Sequence, residues 1–108
     1  MVDRKAQIRA YKETPVPMGV YRVHSSASGY GVVGASIDLP SVLNRHRAQL
    51  QMGGHPDRAL QTEWDARGAD AFVFEVLDTL EPGVDPGYDP ADDLAELEKL
   101  WRERLARE

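Results

Sequence analysis

The chain has 108 residues, of which 42% are hydrophobic and 29% are charged, and its formal net charge is −5. These values indicate one folded domain rather than a disordered segment, and the net charge argues against simple electrostatic attraction to nucleic acid. The sequence lacks cysteine, which excludes disulfides and thiolate metal sites. It also lacks a long apolar run, which predicts that the chain has no membrane span. From these two features we expect a cytoplasmic protein.

The charge is unevenly distributed along the chain. Residues 1–68 contain nine Lys and Arg against six Asp and Glu, whereas residues 69–108 contain four against twelve. This split is compatible with a phosphate-facing surface on the first two-thirds of the chain and an acidic, solvated remainder.

The first half of the chain predicts a polar N-terminal extension over 1–15, then two strands and a helix. Branched and aromatic residues around Tyr21 favour a strand, and a turn rich in serine leads into a second strand over 30–36. Pro40 fits the first turn of a helix over roughly 41–52, which the glycines at 53 and 54 end.

The second half predicts a helix, a strand, a loop and a last helix. The second helix begins with residues 55–57 and ends at Gly68, and residues 71–78 form a third strand. Residues 81–90 form an irregular loop, after which Asp89 caps a helix with Pro90 in its first position. The order predicts an α+β domain over 1–108, with a small three-stranded antiparallel sheet flanked by helices.

Glu98 stands out on the last helix because it shares a sector with an apolar stripe formed by Leu94, Leu97, Trp101 and Leu105. An ionised carboxylate near an apolar face needs a partner. Two interpretations remain open: Glu98 reaches solvent or pairs with an arginine such as Arg102, or it has a metal-binding or catalytic role.

His46 lies between Val42 and Leu50 on the apolar face of the first predicted helix. It is either a hydrogen-bonded core histidine or a ligand or base. His55 precedes a proline at a helix start, where it could simply cap that helix, and Tyr21 could be an ordinary sheet aromatic.

The spacing of these residues resembles a known pattern. Residues 19–21 (Gly-Val-Tyr) and, eleven positions after Tyr21, residues 32–34 (Val-Val-Gly) are similar to the two motifs that name the GIY-YIG nucleases. Val42, His46 and His55 then follow at the steps where that family has an arginine and two histidines. Residues 98–101 resemble its final helix. Taken together, the resemblance covers about 17–105, and the fold that it implies is a GIY-YIG-like sandwich.

The resemblance implies hydrolysis of phosphodiester bonds in DNA with Mg²⁺ or Mn²⁺. Glu98 would hold the metal, Tyr21 would help to activate the attacking water, and His46 would assist by hydrogen bonding. Val32 and Val42 depart from the pattern, because valine neither relays a proton nor binds phosphate. The loss of one preorganised donor typically costs roughly 3–4 kcal/mol of barrier.

Two hypotheses follow from this departure. In the first, the domain is catalytically impaired and serves as a binding module for nucleic acid or for a protein partner. DNA would bind weakly through the region of Arg45 and Arg47, with His55 and Tyr30 as further binding residues. In the second, it is an active, divergent, Mg²⁺-dependent DNA endonuclease in which Arg45 replaces the missing arginine and Tyr30 the missing hydroxyl.

Overall fold

A computed structural model of the protein describes residues 16–81 and 87–107. In chain order these ranges form β1 (Met18–Ser25), β2 (Gly31–Ser36), α1 (Leu39–Met52), α2 (Arg58–Arg67), a 3-10 turn (Ala69–Ala71), β3 (Phe72–Leu80) and α3 (Ala91–Ala106). The predicted extension over 1–15 and residues 82–86 of the predicted loop lie outside the described residues.

The three strands form one antiparallel sheet in the order β2-β1-β3, so β1 is central and β2 lies at an edge. Tyr21 in β1 is paired with Gly34 in β2 and with Val76 in β3. The register with β3 shifts by one residue between Val20 and Tyr21, as a β-bulge does. This sheet with its helices confirms the predicted α+β fold.

Local capping sets the start and end of α1. The Asp38 carboxylate accepts hydrogen bonds from the Ser41 amide (3.0 Å) and the Ser41 hydroxyl (2.9 Å), so α1 begins at Leu39, two residues earlier than predicted. Gly53 ends the helix in the left-handed region at φ 80°, where glycine carries no steric penalty.

The starts of α2 and α3 each lie later than predicted. Asp57 accepts a hydrogen bond from the Leu60 amide (3.1 Å) and is the N-cap of α2, so residues 55–57 precede this helix. Pro90 is the N-cap of α3 rather than its first residue, and Asp89 instead accepts a hydrogen bond from the Ala91 amide (3.0 Å).

The core lies between one face of the sheet and helices α1 and α2. Its buried members are Tyr21, Val23, Leu39, Val42, Leu50, Leu60 and Phe72. The fully buried Val20 faces the opposite side of the sheet, because side chains alternate along a strand, and α3 packs against β1 and β2. Within the described ranges, no helix combines the length and hydropathy that a bilayer crossing requires.

Candidate active site

Tyr21 and His46 meet at the edge of the core. Tyr21 is only 9% exposed, and its hydroxyl oxygen lies 3.1 Å from Nε2 of His46. His46 lies one helical turn after Val42 and one turn before Leu50, which are both buried, so the amphipathic pattern of α1 turns the imidazole towards β1. Two residues to which the resemblance assigns catalytic roles therefore lie in contact.

His55 extends this contact into a row of three polar side chains. Its Nε2 lies 2.7 Å from Nδ1 of His46, and the two rings stack with their centroids 5.0 Å apart. The Asp57 amide donates to Nδ1 of His55 (3.0 Å), and the His55 amide donates to the Gln61 side-chain oxygen (3.0 Å). His55 is thus held on two sides before α2 begins.

The hydrogen bonds assign a direction to this Tyr21–His46–His55 row. The Asp57 amide donates to Nδ1 of His55, so a neutral His55 carries its proton on Nε2 and donates to Nδ1 of His46. His46 then carries its own proton on Nε2 and donates to the Tyr21 oxygen. The phenol oxygen is therefore an acceptor from the protein, and its own proton is directed elsewhere.

Charged groups from α1 and α3 converge on Tyr21. Burial raises the pKa of the Tyr21 phenol, Arg45 opposes this shift, Glu98 adds to it, and Arg102 opposes it again. Burial also lowers the pKa of His46, with His55 and Arg45 acting in the same direction. The site therefore combines the row with one carboxylate and two guanidinium groups.

Arg102 is the partner of Glu98. Its Nε lies 2.8 Å from a Glu98 carboxylate oxygen, and its Nη2 donates to the Val33 carbonyl of β2 at 2.5 Å. The side chains remain accessible, at 30% exposure for Glu98 and 56% for Arg102. Of the two interpretations that the sequence left open for Glu98, the arginine pair is formed, and the carboxylate also lies near the predicted catalytic tyrosine.

Two predicted binding residues have their side chains on partners outside the row. The Tyr30 hydroxyl donates to the Asp57 carboxylate (2.9 and 3.0 Å), so it does not take the place of a second tyrosine hydroxyl beside Tyr21. Arg47 lies over the Phe74 ring at 4.3 Å. Arg45 is exposed on α1 but close enough to affect both Tyr21 and His46 electrostatically.

Two further residues support the site, although the sequence pattern assigned neither of them a role of its own. Gly34 lies beneath the Tyr21 ring, where a β-carbon would be 2.5 Å from the hydroxyl oxygen. The Gln61 side chain, 9% exposed, joins the His55 amide to the Leu50 carbonyl and to the Asp65 carboxylate. The cross-strand register could have indicated Gly34, but no pattern distinguished Gln61 from other helix residues.

The donor set bears on the metal that the resemblance implies. Across residues 16–81 and 87–107, no group of three or more His, Asp and Glu side chains is placed to hold a metal ion. Mg²⁺ often binds through one or two carboxylates, keeps several waters and takes phosphate oxygens from its substrate. Glu98 fits a site of that kind as its protein ligand, although its carboxylate is paired with Arg102.

Comparisons with known proteins identify the fold. No family model and no curated protein matches the sequence. The catalytic domain of the homing endonuclease I-TevI is similar, with 24% identity and a TM-score of 0.64 over 82% of this chain and 88% of that chain. A glutamate-to-alanine mutant of this intron endonuclease domain gives 22% identity and a TM-score of 0.67 over 84% of this chain and 86% of that one. I-TevI is a GIY-YIG nuclease, so the GIY-YIG-like fold is confirmed.

Proposed function

We propose that this domain, which has the fold of a GIY-YIG nuclease catalytic domain, binds DNA and slowly hydrolyses its phosphodiester bonds with the help of a divalent metal ion. The observation that carries this proposal is the Tyr21–His46–His55 row with its defined direction. A row of three polar side chains, two of them buried and the third half-buried, serves packing poorly, whereas it orients a tyrosine oxygen for proton transfer.

In this proposal Tyr21 takes the proton of the attacking water. It must first lose its own proton, because only the phenolate can act as a base. The His46 Nε2–H bond stabilises the phenolate, and the positive charges of Arg45 and Arg102 favour it, whereas burial and the Glu98 charge oppose it. A cation bound at Glu98 would offset that charge, lower the pKa of Tyr21 and increase the fraction present as phenolate.

Glu98 is the residue that we expect to hold the metal. A divalent ion there would polarise the phosphoryl oxygens of the bound DNA. The similarity to the catalytic domain of the endonuclease I-TevI supports DNA as the substrate class. The basic side chains of Arg45 and Arg47 on α1 would contact its phosphates.

The two valines explain why we expect slow hydrolysis. Val42 is a core residue at 7% exposure, and Val32 packs partly buried against the same core. Neither side chain offers a proton or a positive charge, and each missing donor lowers the rate by roughly 10²–10³. These substitutions favour a second candidate function, in which the domain binds nucleic acid or a protein partner without cleaving a substrate.

A cleavage assay separates the two functions. Supercoiled plasmid and a labelled oligonucleotide are incubated with Mg²⁺ or Mn²⁺ and the wild type, Tyr21→Phe, Glu98→Gln or Tyr88→Phe. Tyr88 is a matched control, because it precedes α3 and its hydroxyl donates to Asp93 in the first turn of that helix. We expect Tyr21→Phe and Glu98→Gln to lower the rate at least ~100-fold and Tyr88→Phe to leave it unchanged.

Two other outcomes would contradict hydrolysis at this site. Equal cleavage by the wild type and Tyr21→Phe would assign the activity to a contaminant or to another site. An inactive wild type that still binds DNA, with binding weakened by Arg45→Ala/Arg47→Ala, would favour the binding function.

A further inference from the structure

Arg102 occupies an unusual position between α3 and the sheet edge. Its guanidinium contacts the Glu98 carboxylate through Nε and the Val33 carbonyl through Nη2. A guanidinium has five N–H donors in a planar fork, and in the described part of the chain these two contacts use one donor on Nε and one on Nη2. The remaining donors suit a second oxyanion.

The same guanidinium lines a cleft beside Val32. This cleft has a volume of about 490 Å³, and its lining includes Arg22, Val32, Val33, Asp57 and Arg102. Val32 stands where the resembling family has its second tyrosine, and it lines this cleft. Arg22 also lies 4.0 Å from Glu75, so the group that suits an anion such as a phosphodiester here is the Arg102 guanidinium with its remaining donors.

We propose that Arg102 is a further phosphate-binding residue of this site and that it exchanges the Glu98 carboxylate for a phosphodiester oxygen. This proposal rests on the proposed function. The exchange releases Glu98 for a divalent cation, so the binding of DNA phosphate and of metal is mutually favourable. Without DNA, Arg102 remains paired with the Glu98 carboxylate, and its positive charge opposes the binding of a metal ion there.

The nature of the ion pair makes such an exchange feasible. Glu98 and Arg102 are four residues apart on α3 and both are accessible to solvent, and an accessible pair of this kind contributes little stability. A phosphate oxygen offers the guanidinium an equally good acceptor, frequently in bidentate geometry. The Coulomb energy that Arg102 loses by leaving Glu98 is therefore regained from the ligand.

The first measurement is the affinity for Mn²⁺ in the absence of DNA. The electron paramagnetic resonance signal of free Mn²⁺ reports how much of the ion remains unbound. We expect Arg102→Gln to bind Mn²⁺ about fivefold tighter than the wild type, because a competing cation is removed. The gain disappears in Arg102→Gln/Glu98→Gln. Arg104→Gln is the matched control: it removes the same charge from α3, but Arg104 lies over the Trp101 ring at 4.8 Å and lines a different cleft.

The second measurement is the affinity of a fluorescent DNA duplex in EDTA at several salt concentrations, by anisotropy. We expect Arg102→Gln to weaken binding about fivefold and to reduce the slope of log affinity against log salt by about one, with Arg104→Gln close to the wild type. Thermal denaturation of each variant verifies folding.

Neither measurement depends on cleavage. If both give the expected result while the wild type fails to cleave DNA, the role of Arg102 stands and hydrolysis is ruled out. If Arg102→Gln binds Mn²⁺ more tightly but its affinity for DNA is unchanged, the proposed exchange is overturned, because Arg102 then serves only as a counter-ion of Glu98. Equal effects of Arg102→Gln and Arg104→Gln overturn it as well, since net charge alone would explain them.

Discussion

Gly34 lies directly opposite Tyr21 in the sheet, and its lack of a side chain leaves the space that the Tyr21 ring fills. A β-carbon at position 34 would stand 2.5 Å from the Tyr21 hydroxyl oxygen and 2.7 Å from the ring carbon that carries it. The last residue of the second motif therefore determines where the tyrosine of the first motif can be.

Gly34→Ala is accordingly expected to displace Tyr21 from His46. The added methyl group forces the ring to move, which costs about 1–3 kcal/mol of stability and breaks the hydrogen bond to Nε2. Urea denaturation measures the stability, and the imidazole NMR signals of His46 report the lost bond. Gly54→Ala is the control, because a β-carbon there meets no atom within 4 Å. Unchanged His46 signals in Gly34→Ala would contradict this role.

The stability of the domain is expected to fall as the pH drops below about 6.5. Burial lowers the pKa of His46, so below the ordinary histidine pKa the unfolded chain binds a proton that the folded chain does not. The free energy of unfolding then decreases with decreasing pH, until the pH falls below the pKa of the folded state. Urea denaturation at pH 7.5 and pH 5.0 measures this loss, and His46→Gln should make it smaller.

His24 provides a comparison for that experiment, because its pKa is lowered as well although it is not part of the Tyr21–His46–His55 row. Burial lowers its pKa too, with Arg22 acting in the same direction and Glu75 against it, so His24→Gln should also reduce the pH dependence. Only His46→Gln should abolish the contact with Tyr21. If the pH profile of His46→Gln superimposes on that of the wild type, His46 does not contribute.

Gln61→Leu is expected to lower the free energy of unfolding by about 1–3 kcal/mol. Leucine has a similar volume to glutamine, but it leaves the His55 amide and the Leu50 carbonyl without this buried hydrogen-bond partner. Urea denaturation measures the loss. Gln51→Leu, at an exposed position of α1, should stay within about 0.5 kcal/mol of the wild type. A loss of the same size in both variants would contradict the structural role of Gln61.

The two valine positions are expected to respond differently to restoration of the family residues. Val32→Tyr has room because position 32 lines the cleft, so we expect folding to persist and cleavage to accelerate. Val42→Arg places a charge in the core at a position with 7% exposure, and we expect it to destabilise the domain by roughly 3 kcal/mol or more. Thermal denaturation and the cleavage assay test both, and a stable Val42→Arg variant would contradict the packing argument.

The sequence predicted the order and kind of the elements because turns, caps and apolar periodicity are local properties. It also singled out Tyr21, His46 and His55, because their spacing resembles that of a known family, but it did not predict that the three side chains form one row. It could not decide between the alternatives for Glu98, since helical periodicity gives the direction of a side chain and not its rotamer or partner. The resulting pair with Arg102 depends on how α3 meets β2.

The expected role of Tyr30 shows another limit. Tyr30 is two residues before Val32, which predicted that both side chains lie on one face of a strand. However, β2 begins at Gly31, so Tyr30 precedes the strand and the alternation of side chains does not apply to it. The Tyr30 hydroxyl consequently bonds Asp57, the cap of α2. Contacts made from turns require the tertiary structure.

The bond from Arg102 to the Val33 carbonyl also has a consequence for self-association. β2 is an edge strand, and free backbone groups along such an edge can recruit a strand from another molecule. Arg102 covers one of these acceptors with a charged side chain, which discourages the docking of a second chain along β2. The residue that faces the cleft thus also leaves the edge of β2 with one backbone acceptor fewer for strand pairing.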